Sequence, residues 1–119
     1  MEIQVGEYVR TDKGNIGKVI EKRLGKFYKN DNEDIQILKN IYELDIKQWT
    51  TDEYVKNHSF EPIDLIEVGD YVNGEKVVLI TNENELLLDR NINVLDKYRC
   101  IKTIVTKEQF ESMSYKVGE

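Results

Sequence analysis

"VGEYV", from Val5 to Val9, returns as "VGDYV" from Val68 to Val72. In both, apolar and polar residues alternate beside a glycine that can take backbone conformations closed to other residues, the pattern of a strand entered through a tight turn. After the first copy, Asp12-Lys13-Gly14-Asn15 forms a turn signal, and Ile16, Lys18, Val19 and Ile20 resume the alternation, so the stretch reads as a hairpin. After the second copy the turn is Asn73-Gly74. That pair is the strongest short signal for a two-residue type I′ hairpin, in which both central residues take positive φ. The second hairpin is therefore the tighter one.

The ends of the two copies are also alike. "TDEYVKNHS", Thr51 to Ser59, and "TKEQFESMS", Thr106 to Ser114, share Thr, a Glu two places on and a Ser eight places on. Each begins on an N-cap threonine, and Thr106 with Gln109 matches a capping box. Each is followed by a short apolar run, "IDLI" (Ile63 to Ile66) and "YKV" (Tyr115 to Val117), which reads as a closing strand. Between these landmarks, Ile35 and Ile37 in "DIQIL" and Tyr42, Leu44 and Ile46 in "IYELDIK" alternate as two half-buried strands do. In the second half "ELLLD" (Glu85 to Asp89) and "RCIKTIV" (Arg99 to Val105) do the same, while Thr81 to Asn84 and Arg90 to Tyr98 read as loops. The expected fold is mostly β: two tandem small SH3-like β-barrel units, each with a short helical turn before its last strand. Residues 1–66 form the first, and 67–119 form the second, with a short C-terminal helix. A single larger mixed β domain with two similar hairpins is the competing reading. The only proline is Pro62 and no Gly/Ser-rich linker separates the halves, which favours a rigid pair over beads on a string.

Composition sets further bounds. The 119 residues carry 17 basic and 23 acidic side chains, a net charge of -6. The excess is even: Met1 to Asp64 holds 10 basic and 13 acidic residues, and Leu65 to Glu119 holds 7 and 10. Such a field opposes non-specific contact with phosphate backbones. No apolar run approaches the length of a membrane span. The N-terminus has neither the basic flank nor the apolar stretch of a secretion signal, so the expected location is the cytoplasm. One cysteine, Cys100, cannot make an internal disulfide, and with one histidine, His58, the usual zinc sets are out of reach. No cofactor and no metal site are expected.

The run "VGEYVRTDKGNIGKVIEK" resembles the opening hairpin of SH3-like and KOW-type barrels, in which a Val-Gly-Asp/Glu start leads through a glycine turn to Gly-x-x-Gly-Lys-Val, here Gly14, Gly17, Lys18 and Val19. Together with "IDLIEVGDYVNGEKV" and "IKTIVTKEQFESMSYKV", the chain resembles a group of small uncharacterised phage and prophage proteins of Firmicutes. The likeness does not extend to Phe27 to Thr50. It implies a setting, an accessory protein inside a bacterial host cell, and no activity.

No paired groups of the kind that acid–base or covalent catalysis needs stand out, so the expected function is non-enzymatic. The preferred reading is a phage-type binding protein whose acidic surface steers it onto a basic host protein, such as a defence or nucleic-acid enzyme, and inhibits it. The contacts expected are the acidic loops Asp31, Glu33, Asp34, Glu83 and Glu85, with Trp49 or Tyr98 as an aromatic anchor. An alternative is a KOW-like nucleic-acid module: Lys18, Lys22, Arg23, Lys26 and Lys29 are the one basic cluster, and Lys22, Lys26 and Tyr28 supply cations beside a stacking ring. A third is a small-ligand or nucleotide-binding sponge built at the junction of the two units or of two subunits. "DNED", Asp31 to Asp34, lacks the glycine and distal glutamate of a calcium loop and reads as an exposed turn. His58 reads as a structural histidine in the helical turn, Cys100 as a small buried hydrophobe, and Tyr8 and Tyr71 as equivalent core residues.

Overall fold

The computed structural model describes residues 2–29, 32–82, 85–89 and 101–113. The chain falls into two compact units, Met1–Asp12 with Ile16–Glu61, and Lys13–Asn15 with Pro62–Glu119. Both are built on antiparallel sheets.

In the first unit β1 (Tyr8–Thr11), β2 (Ile16–Lys29), β3 (Asn32–Leu44), β4 (Gln48–Thr51) and β5 (Val55–Ser59) form one sheet in the order β4-β3-β2-β1-β5. A 3₁₀ turn, Asp52–Tyr54, carries the chain from β4 to β5. The inward positions are Ile3, Val9, Val19, Tyr42, Leu44 and Val55, all buried in one cluster. In the second unit β6 (Tyr71–Val72), β7 (Glu75–Ile80), β8 (Leu86–Leu88) and β9 (Ile104–Val105) pair in the order β8-β7-β6-β9, and α1 (Lys107–Met113) follows. Its core is Ile63, Ile66, Val72, Val77, Leu86 and Leu88. In both units the first strand lies between its hairpin partner and the last described strand.

The two pentapeptides make the same turn, bond for bond. Gly6 and Gly69 stand at φ +99 and +100, where a Cβ would be strained. Gly6 N donates to Val19 O and Val19 N to Glu7 O; Gly69 N donates to Val77 O and Val77 N to Asp70 O, at 2.8 to 2.9 Å throughout. Glu7 and Asp70 then fold back: Glu7 Oε2 accepts from Gln4 N at 2.6 Å, and Asp70 Oδ2 accepts from Glu67 N at 2.7 Å. The acidic residue after the glycine is thus buried in each copy and caps its own turn.

Other expectations meet the structure unevenly. Asn73 and Gly74 both take positive φ, as the type I′ turn requires. The capping box forms in full: Thr106 N donates to Gln109 Oε1 and Gln109 N to Thr106 Oγ1. Thr51, in contrast, makes no cap bond, and only Asp52–Tyr54 of its segment is helical; Val55–Ser59 is strand. "IDLI" is not a closing strand but a 3₁₀ turn, Pro62–Leu65, which turns Ile63 and Leu65 into buried positions. In the first unit the helical turn precedes the last strand, whereas α1 follows β9; "YKV" lies outside the described residues. "DIQIL" and "IYELDIK" are one continuous strand, β3. Neither sheet is closed among the described residues, because β4 and β5 in one and β8 and β9 in the other remain edges. Tyr8 and Tyr71 are half-buried and outside both clusters; Tyr71 instead stacks on Phe110 with centroids 4.3 Å apart.

Candidate functional site

The element that exceeds the needs of a small sheet is the pair β2 and β3. β1 pairs with β2 only over Ile16 to Lys18, and β4 with β3 only over Ile41 to Leu44. From Glu21 to Lys29 and from Asn32 to Asn40 the two strands pair with each other alone among the described strands. At about 3.4 Å per residue, the stretch beyond Tyr42 runs on for about 20 Å as a two-stranded ribbon.

Its register is unbroken from Glu21↔Glu43 to Tyr28↔Gln36, so side chains alternate strictly between two faces. One face carries Arg23, Phe27, Ile37, Lys39 and Ile41, joined by Trp49 and Glu53 from beyond β3. A Cβ at Gly25 would fall on Ile41, so the glycine is what lets that side chain lie across the strand. Phe27 and Trp49 meet at a tilt with centroids 6.4 Å apart, and Lys39 Nζ sits 5.3 Å over the Phe27 ring. The cations here are matched internally: Arg23 pairs with Glu43 at 2.8 Å and Lys39 with Glu53 at 2.6 Å.

The opposite face reads Lys22, Leu24, Lys26 and Tyr28 along β2, and Asn40, Leu38 and Gln36 along β3. Leu24, Leu38 and Tyr28 are 67%, 62% and 58% exposed. Neither Lys22 nor Lys26 makes an ion pair among the described residues. Lys22 Nζ lies 5.9 Å over the ring of Tyr42, which continues the same row into the core.

No protein-family model, no curated protein and no solved structure matches this chain. Any functional reading rests on its own residues.

The sequence-predicted residues are distributed as follows. Lys22, Lys26 and Tyr28 share one face of β2; Arg23 from the same basic run points to the other. The whole run lies within strand, with no loop after Lys26. Trp49 is 57% exposed on β4 beside the ribbon's neutralised face. Glu33 and Asp34 occupy backbone positions of β3 near the ribbon's far end, not a loop. Asp31, Glu83 and Tyr98 lie outside the described residues, as does Cys100. Glu85 is half-buried; its N–H donates to Thr81 Oγ1 at 3.1 Å. Leu24, Leu38, Gln36 and Asn40 escaped the sequence reading; the signal for them was an apolar alternation running past the length one small sheet can cover.

His58 lies on β5, not in a helical turn, and its Nδ1 is 2.8 Å from Glu7 Oε1. Burial pushes the Glu7 carboxyl upward, but the hydrogen bonds from His58 and Gln4 N and the charge of His58 outweigh it, leaving the pKa below its ordinary value. A depressed carboxylate adds stability that is complete above the unfolded pKa of about 4.3 and vanishes as pH falls through the folded value. Glu7→Gln is therefore expected to flatten the acid side of the stability profile, measured as the urea midpoint at successive pH values. An unchanged acid slope would contradict it. Among the described residues no group of three or more His, Cys, Asp or Glu is placed to hold a metal, and no helix is long and apolar enough to cross a membrane.

Proposed function

We propose that the chain is a pair of SH3-like units related by duplication, acting as a non-enzymatic binding protein whose contact element is the β2–β3 ribbon. The observation that carries this reading is the ribbon itself, which outruns its neighbouring strands and leaves Leu24, Tyr28, Leu38 and the adjoining Trp49 in solvent. The repeated carboxylate-capped turn supports the duplication. The partner proposed is a basic host protein, with Asp31, Glu33 and Asp34 steering the encounter and the Phe27–Trp49 pair as apolar anchor. The net charge of -6 supports attraction to a basic surface, and the resemblance to phage proteins supports a host target, a defence or nucleic-acid enzyme, in the cytoplasm. Affinity capture from bacterial lysate at low and high salt, read by mass spectrometry, tests it. A basic protein should be retained at low salt, released at high salt, and lost with Trp49→Ala or with Asp31, Glu33 and Asp34 changed to Lys. Retention unaffected by those changes would refute the assignment. A second reading, contact with nucleic acid, draws on a separate observation: Lys22, Lys26 and Tyr28 lie on one face.

A further inference from the structure

The two ribbon faces differ in one respect that bears on the ligand. On the Arg23 face the cations are matched by Glu43 and Glu53 of the same chain. On the opposite face Lys22 and Lys26 make no ion pair among the described residues, which leaves both ammonium groups available to an anionic ligand. Their neighbours there are Gln36, whose exposed amide makes no hydrogen bond among the described residues, and Asn40, whose amide lies toward the Tyr42 hydroxyl. The Gln36 amide and apolar Leu24, Leu38 and Tyr28 are side-chain types that read base edges, amide toward adenine and apolar groups toward the thymine methyl, while the two lysines are of the type that reaches the flanking phosphates.

The shape agrees with that chemistry. A two-stranded antiparallel ribbon has the width that the major groove of duplex DNA admits, and a ribbon so inserted presents one face to the bases. Both edges of this ribbon are guarded against pairing with another strand. Cations crowd β2, and β3 has three residues, Glu33 to Ile35, with no partner on β2 between Asn32↔Lys29 and Gln36↔Tyr28. The faces, not the edges, are then the recognition surfaces. We infer that the Lys22, Lys26, Gln36 face of the β2–β3 ribbon binds double-stranded DNA through the major groove. This deepens the second reading above and is independent of the protein partner. The net charge of -6 and the acids of the chain weaken the long-range field, so binding is in the weak range of about 10⁻⁴ to 10⁻⁶ M and is reduced by salt.

The test is fluorescence anisotropy of the whole protein with labelled duplexes of about two helical turns, A·T-rich and G·C-rich, and with the corresponding single strands, over a range of salt. The expected result is duplex binding at low salt with a log–log salt slope of about -2, from about -0.9 for each lysine–phosphate contact. Lys22→Ala and Lys26→Ala are each expected to reduce that slope by about 1. Gln36→Ala is expected to leave the slope unchanged and to remove a preference of about tenfold for the A·T-rich duplex. All three positions are outside the core, and an unchanged circular dichroism spectrum verifies the fold of each variant. Absence of binding to any nucleic acid at low salt overturns both the inference and the second reading. Single strands bound as tightly as duplexes, or a slope indifferent to both lysines, overturns the groove assignment alone. Displacement of the duplex by polyglutamate at equal charge concentration would reassign the face to acidic protein segments.

Discussion

Asp70→Ala is expected to destabilise the protein by about 3 kcal/mol, seen as a fall in the urea midpoint followed by circular dichroism. The Asp70 side chain is fully buried, and its two oxygens accept from Glu67 N at 2.7 Å and Lys107 N at 2.9 Å. One bond closes the turn that enters β6; the other fixes the first residue of α1. Hydrogen bonds to a charged acceptor contribute about 1.5 to 3 kcal/mol each, and removing the acceptor leaves two partly buried N–H donors without it. Asp70→Asn keeps one carbonyl oxygen and is expected to recover about half of the loss. The size of the effect matters because a unit of this length buries a small core and has little stability in reserve. A loss under about 1 kcal/mol would mean that the two N–H groups find other acceptors, and the carboxylate would then not be what holds the turn to the helix.

Tyr42→Ala is expected to cost about 4 kcal/mol, the range for deleting a buried aromatic ring. Tyr42 is fully buried among Ile3, Val9, Val19, Leu44 and Val55, and its hydroxyl donates to Asp52 Oδ1 at 2.7 Å. It also stands where the ribbon leaves the core, so its ring closes the cluster at the ribbon's root. Trp49, the only tryptophan, pairs next to it at Glu43 and reports the transition by fluorescence. Tyr42→Phe retains the ring and leaves Asp52 without this donor, an expected loss of about 1 kcal/mol. Burial, then the hydrogen bond to the Asp52 carboxylate, pushes the Tyr42 phenol well above its ordinary pKa. The folded state therefore favours the protonated form: its contribution is complete below about pH 10 and is lost progressively as pH rises beyond that.

What the sequence disclosed was mostly local. Asn73-Gly74 could be read because a type I′ turn imposes positive φ on both residues, and Thr106 with Gln109 because a capping box needs only those two side chains at one spacing. The repeated pentapeptide announced a repeated turn, but that Glu7 and Asp70 are buried was invisible, since an acidic residue in a turn ordinarily reads as exposed. β3 was divided in two because its apolar phase changes: Ile35 and Ile37 fall on odd positions, Tyr42 and Leu44 on even ones. The change is real and marks the passage from ribbon to core, where the buried face is the other one. "IDLI" has the composition of a strand, yet Pro62 removes a ladder donor at its start and the segment closes as a 3₁₀ turn. Barrel closure depends on which distant edges meet, and short apolar runs do not encode that. The basic cluster was legible as a cluster; its division into matched Arg23 and Lys39 and unmatched Lys22 and Lys26 required the register.

If the ribbon is the contact element rather than part of the folding core, it can be removed without loss of the fold. The register permits a direct test: Arg23 faces Ile41, so Leu24 to Asn40 can be replaced by Asn-Gly to leave a two-residue hairpin at the root. The measurement is affinity capture from bacterial lysate with the shortened and native proteins side by side, with a separate thermal melt of each. The expected result is a cooperative transition preserved in the shortened protein, because Tyr42, Leu44 and Val19 all remain, with retention of the native protein's partners abolished. A shortened protein that folds and still retains the same partners would contradict the assignment and move the binding surface elsewhere.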